Sequence, residues 1–429
     1  MRKDVKWWDG TPVTAHDVKF TYDKMIDPDV GYPHRASLRY IESVEVIDDY
    51  TVKFTFKKVY ADGLLDSGIM PIPKHILENE KDLRTSEFNT EPIGNGPFRL
   101  KKWVEGKYIE LVANPDFYLG RPPLDRIVFW FAPNAEALIY EMKKNRLDLV
   151  PDFPHTYIKE VTGKVKDMKL IEFPGNSYTY IGWNLKNDKY KSKETRQALL
   201  YAVNREKIIK NILHGYGEVS NGPLTPSTWA FDSELKPLPY DPKKAEELLK
   251  QAGWKKKQGR WVKGKKIFSV ELLVEKDDPV KMAVGKSVVK DLNAIGIKAK
   301  LVPVDVFTLL QKLLQRKFDA YILSWTMEDR IDPAGVWSSN GMYNFVSYKN
   351  PTVDSLIEHG TVVLDRREGK DIWKEFQRII AEDAPYAFLF VPHKLTFVSI
   401  FLQGADEKDK RGNLIAALDR YWLPQTARK

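Results

Sequence analysis

The sequence predicts an α/β protein of two or three domains. Length is one reason, since 429 residues are more than one hydrophobic core usually serves. Composition is another: 43% apolar and 30% charged residues describe a folded, soluble chain rather than a disordered one. The third reason is a strand–helix–strand–helix–strand pattern over residues 269–324, which implies a parallel sheet with right-handed crossovers.

The elements follow in order. Thr14-Ala15-His16-Asp17 is a capping box, and Val18, Tyr22 and Met25 then fall on one helical face. Val44 and Val46, then Val52, Phe54 and Phe56, alternate about Asp48-Asp49 and predict two strands and a turn. Phe98–Trp103 and Tyr108–Val112 predict a hairpin about Glu105-Gly106. Asp241-Pro242 opens a helix that Gly253 closes, and Asn350-Pro351 opens another that ends at Gly360.

Residues 269–324 are the most legible part. Ser269–Glu275 predicts a strand. A helix opens at Pro279 with Val280, Val284, Val288, Leu292 and Ile295 on one side. Ile297–Val304 is a second strand, and Val306–Lys317 a helix with Leu309, Leu310, Leu313 and Leu314 inward. Phe318–Ser324 is the third strand.

Composition also excludes chemistry. Cysteine is absent, which removes thiol catalysis, disulfides and thiolate metal sites. The seven histidines show no pair at ligand spacing, so no metal is expected. No Gly-x-Ser-x-Gly, phosphate loop or dinucleotide fingerprint occurs, so no cofactor is expected either. The formal charge of +9 has one dense patch, Lys255-Lys256-Lys257 with Arg260, Lys263, Lys265 and Lys266. Its glycines fit a solvated hairpin better than a nucleic-acid surface. Many Lys and Glu without Cys fit a heat-adapted protein.

The segment Ser324-Trp325-Thr326-Met327-Glu328-Asp329-Arg330-Ile331-Asp332 then falls just past the carboxyl end of a parallel strand. That is where open α/β sheets bind ligands. Its acids are either turn caps or, in a different reading, paired carboxylates of a glycosidase. Trp183, Trp325, Trp337 and Tyr343, near Asn184, Asn340 and Asn344, suit either core packing or a pocket for a partly polar ligand.

Five stretches resemble one known family. They are Val5-Lys-Trp-Trp-Asp-Gly-Thr-Pro-Val-Thr-Ala-His-Asp-Val18; Gly94-Asn-Gly-Pro-Phe-Arg-Leu-Lys-Lys-Trp103 with Asn114-Pro-Asp-Phe-Tyr118; Arg196-Gln-Ala-Leu-Leu-Tyr-Ala-Val-Asn-Arg205 with Gly222-Pro223; Tyr343-Asn-Phe-Val-Ser-Tyr-Lys-Asn-Pro351; and Ile380-Ala-Glu-Asp-Ala-Pro385. The chain resembles the extracellular solute-binding proteins of peptide, oligopeptide and nickel ABC importers, family 5.

The resemblance implies a two-lobed periplasmic-binding-protein-like fold with a hinge. The expected divisions are residues 1–92, a small extra subdomain of the first lobe; 93–179, the first lobe; 180–390, the second lobe; and 391–429, a return to the first. It implies a non-enzymatic, extracytoplasmic component that captures oligopeptides or dipeptides and delivers them to a membrane permease. An oligosaccharide is the alternative ligand. Ser324, Trp325 and Thr326 are expected to pair with the ligand backbone, and Glu328, Asp329 or Asp332 to hold its amine. Trp337, Asn344, Trp183 and Asn184 are the further candidates.

The family also implies a stretch ahead of Trp7-Trp8-Asp9-Gly10, a signal peptide and a lipid anchor, none of which is read in this chain. The expectation is a start codon assigned late rather than a trimmed chain, and a monomer, with dimerisation through an uncovered first-lobe sheet edge as the alternative.

Overall fold

Strand Ala320–Thr326 lies third in a six-stranded sheet. The computed structural model describes residues 1–328, 330–405 and 414–424. The strand order in this sheet is Lys298–Val304, Ser269–Glu275, Ala320–Thr326, Ser177–Trp183, Tyr386–Pro392 and Gly217–Val219. The first three are parallel, as the helical crossovers require. The rest run antiparallel to their neighbours, so the sheet is mixed. The reason is topological. Ser177–Trp183 enters from another sheet and Tyr386–Pro392 leaves toward it, so neither needs a helical crossover.

Side chains alternate across this sheet. Ile181, Trp183, Val270, Leu272, Val274 and Ile322 join one core, under helices Lys193–Tyr201, Arg205–Ile212, Pro242–Gln251 and Pro279–Ala294. Tyr178, Tyr180, Leu273, Tyr321, Tyr386 and Phe388 join the other, with Val306–Leu314, Pro351–Gly360 and Arg366–Asp383. Val284, Val288 and Leu292 are buried as the spacing predicts. Leu310 and Leu314 are not: they are 41% and 61% exposed, while Leu309 and Leu313 are buried. Helix Val306–Leu314 rests on the sheet by one face, and that face admits only the i, i+4 pair.

Two chain crossings join this sheet to a three-stranded one ordered Leu149–Val150, Lys394–Ser399, Met168–Phe173. Residues 174–176 carry Met168–Phe173 into Ser177–Trp183, and His393 alone carries Tyr386–Pro392 into Lys394–Ser399. The crossings touch. A Cβ on Gly175 would lie 1.9 Å from the Pro392 carbonyl oxygen, so only glycine fits there.

The amino-terminal residues form smaller units. Asp17 closes the first turn of helix Ala15–Ile26 by accepting the Thr14 N–H at 2.8 Å. That helix covers hairpin Ile41–Asp48/Thr51–Phe56 over a core of Tyr22, Leu38, Ile41 and Val44. Phe98–Val104 and Tyr108–Ala113 pair as predicted and gain a third strand, Arg126–Trp130. The basic segment is a three-stranded hairpin with exposed lysines. Its tryptophans face inward: Trp254 stacks on Phe268 at 4.5 Å, and Trp261 donates to the Ile295 carbonyl at 2.8 Å. Among the described residues no helix is long and apolar enough to cross a membrane.

Candidate functional site

The Ala320–Thr326 strand reaches further than its sequence suggested. Ser324, Trp325 and Thr326 lie inside it, because Ser177–Trp183 supplies partners to the end: Ser324 opposite Thr179, Trp325 opposite Tyr178, Thr326 opposite Ser177. The Ser324 and Thr179 hydroxyls lie 2.9 Å apart. On the other edge the parallel register stops at Leu273 opposite Tyr321. Beyond Tyr321 this edge has no neighbouring strand among the described residues. Exposure rises along it, from buried Ile322 to exposed Thr326. An extended chain finds there a row of backbone donors and acceptors already fixed in strand geometry.

Trp325, on this strand, is half-buried against the core that holds Tyr321 and Tyr386. Its ring lies 6.5 Å from Phe345, nearly parallel, and 5.9 Å from Tyr343. The loop that follows faces the small amino-terminal unit across a cavity of about 530 Å³. Glu328 and Arg330 line it from one side. Lys24, Met25, Tyr32, Leu38, Leu65, Asp66, Ile69 and Met70 line it from the other. The lining is mostly apolar, with the carboxylates of Asp66 and Glu328 and the cations of Lys24 and Arg330 among it, a composition suited to a partly polar organic ligand.

Ion pairs span the same gap. Arg330 bonds the Asp66 carboxylate, whose second oxygen accepts from the Tyr60 hydroxyl. Asp66 is 7% exposed. Arg39 bonds Asp332, which also accepts the Ala334 N–H at 3.2 Å. Burial pushes the neighbouring Asp62 carboxyl up, against the pull of Arg330. Burial also pushes the Tyr60 hydroxyl up to about 12. The Arg330 Nε is buried without a partner.

The remaining sequence candidates are elsewhere. Trp183 is 0% exposed in the core and stacks on Tyr190. Asn184 ties the Arg316 and Phe318 carbonyls at 3.2 and 2.7 Å. Asn344 ties those of Ser338 and Tyr348 at 3.1 and 2.7 Å. Trp337 packs on Tyr386 at 4.6 Å. All four are committed to packing or loop bracing. Asp329 lies outside the described residues. Sequence reasoning missed Asp66, Arg39 and Arg330. Arg330 stood inside the singled-out segment, but nothing in the sequence linked it to residues 39 or 66.

Comparison with known proteins adds an independent line. Residues 1–345 match the profile of bacterial extracellular solute-binding proteins, family 5 Middle. The oligopeptide-binding protein AppA of Bacillus subtilis is 34% identical over 99% of this chain and 80% of its own. Its structure in complex with a nonapeptide superposes with a TM-score of 0.76 at 32% identity, over 99% of this chain and 86% of that one. A putative peptide-binding protein AppA from Clostridium difficile superposes with a TM-score of 0.89 at 26% identity, over 99% and 88%.

Proposed function

The chain belongs to family 5 of the bacterial extracellular solute-binding proteins, and from that membership we propose that it is the peptide-capturing component of an ABC importer. It holds an oligopeptide or dipeptide between two lobes that close about a hinge, and delivers it to a membrane permease. It works outside the cytoplasm. The Lys and Glu content supports a heat-adapted member.

The observation that carries this reading is the free edge of Ala320–Thr326 beyond Tyr321. A peptide backbone matches such an edge in the manner of an added strand, and a small compact solute does not. Glu328 supplies the charge for the peptide amine. It reaches the cavity, whereas Asp332 is engaged by Arg39 and by the turn at Ala334. That engagement takes Asp332 out of any carboxylate pair with Glu328, which favours a binding role over glycoside hydrolysis.

Native mass spectrometry of the purified protein, followed by denaturing release of whatever copurifies, tests the reading. Peptides are the expected cargo. A released oligosaccharide, with no peptide bound from a library, replaces it.

A further inference from the structure

Three of the seven histidines, far apart in sequence, converge where the chain crosses between sheets. His393 is the one residue between strands Tyr386–Pro392 and Lys394–Ser399. Its Nδ1 bonds the carboxylate of Glu172, on the neighbouring strand of the three-stranded sheet. Its Nε2 lies 3.8 Å from Glu218, on the edge strand of the six-stranded sheet. One imidazole thus stands between carboxylates fixed to the two separate sheets. His155 lies beside the backbone of His393 and Tyr216, with its Nε2 buried and unpartnered. His214, at φ 55° just ahead of the Glu218 strand, has its Nδ1 buried and unpartnered. Among the described residues no three or more His, Asp or Glu side chains are arranged to hold a metal ion.

We propose that His393, with Glu172 and Glu218, is a proton-operated clasp on the hinge, favouring the present arrangement of the lobes while His393 is charged and releasing it when His393 is neutral. The charged ring bonds Glu172 through Nδ1 and holds its charge 3.8 Å from Glu218, so it attracts both carboxylates at once. The neutral ring donates from one and leaves the other carboxylate without its partner. The crossing is the place where such a change has leverage. Pro392 and Gly175 are in backbone contact there, so a shift at residue 393 moves both connections.

The groups around the clasp set its range. The two carboxylates raise the His393 imidazole, Glu218 foremost, against its partial burial. Its contribution is therefore complete below the ordinary imidazole value of about 6.5 and is lost as pH rises through the raised value. Burial lowers His155 and His214, helped by the charges of His393 and His214 on the first and of Lys159 on the second. Their contribution, from being neutral, is complete above about 6.5 and is lost as pH falls through their lowered values. The arrangement is held best between these limits and loosens on either side.

The absence of cysteine makes the test direct. Glu105→Cys and Lys257→Cys place one label on each lobe at exposed hairpin positions. Interlobe distance distributions are then measured by spin-label or fluorescence methods at about pH 6.5 and about pH 9, with no ligand added. Because no ligand is present, the outcome is independent of the peptide reading. The expected result is a change of at least about fivefold in the ratio of the two lobe arrangements, of the order a charge-assisted hydrogen bond supplies. His393→Gln should remove that response, and Glu218→Gln, at the partly exposed end of the cluster, should diminish it while leaving the fold intact. An unchanged distribution across this range, or a wild-type response retained in folded His393→Gln or in Glu218→Gln, overturns the proposal.

Discussion

Arg330 and Asp66 bond across the gap between the loop after Ala320–Thr326 and the small amino-terminal unit, 264 residues apart in sequence. Asp66 is buried and also accepts from Tyr60, so its charge is compensated only while this contact exists. Opening the gap leaves a buried carboxylate unpaired unless the surrounding unit rearranges.

Removing one partner is therefore costly. Arg330→Met should destabilise the protein by about 3 kcal/mol, read by urea unfolding, because it strands the Asp66 charge. The double variant Arg330→Met/Asp66→Leu should recover much of that loss. Equal destabilisation in the single and double variants would show that the arginine acts through packing alone.

Asp62 gives a pH-dependent test. Its carboxyl is raised by burial, so its stabilising contribution is present below the ordinary value of about 4 and is lost as pH rises through the raised one. Asp62→Asn, which stays neutral, should raise the melting temperature at neutral pH. The gain should vanish in acid, near and below about pH 4. A constant difference between the two melting curves at every pH would contradict the assignment.

Glu328→Gln should weaken binding of a library peptide by at least about tenfold in calorimetry near neutral pH, by removing the charge that faces the ligand amine. Peptides with a blocked amino terminus should bind the variant and the parent equally. A uniform loss for free and blocked peptides would place the effect in the loop rather than in the charge.

Gly175→Ala tests the crossing. Its new methyl meets the Pro392 carbonyl, so the backbone must part. A loss of about 1–3 kcal/mol is expected, with faster amide exchange at residues 392–394. Wild-type stability would mean that the two crossings are not tightly apposed in solution.

Local rules recovered much of the fold. The helix openings read at Asp241 and Asn350 are caps that each accept a first-turn N–H. The apolar period of residues 280–292 marks the face that is buried. What local rules lack is which way a ring or an amide faces. Trp183 and Trp325 lie on partner strands of one sheet, yet one is fully buried in the core on one face and the other only half-buried against the core on the opposite face. Asn184 and Asn344 read as ligand contacts because a carboxamide that braces a loop has the same composition as one that binds a solute. The partnerships of Asp66 with Arg330, and of His393 with Glu172 and Glu218, join segments too distant for any sequence period to connect.

The middle strand of the three-stranded sheet, Lys394–Ser399, is also the last of its strands to be made. Leu149–Val150 and Met168–Phe173 leave the ribosome some 225 residues before it. At about 5–20 residues per second, they wait roughly 10–45 s for the strand that both must pair with. The six-stranded sheet is complete once Pro392 emerges, shortly before the three-stranded one. The earlier-made strands remain unpaired throughout that interval, which makes them the segments most in need of a holding chaperone during synthesis.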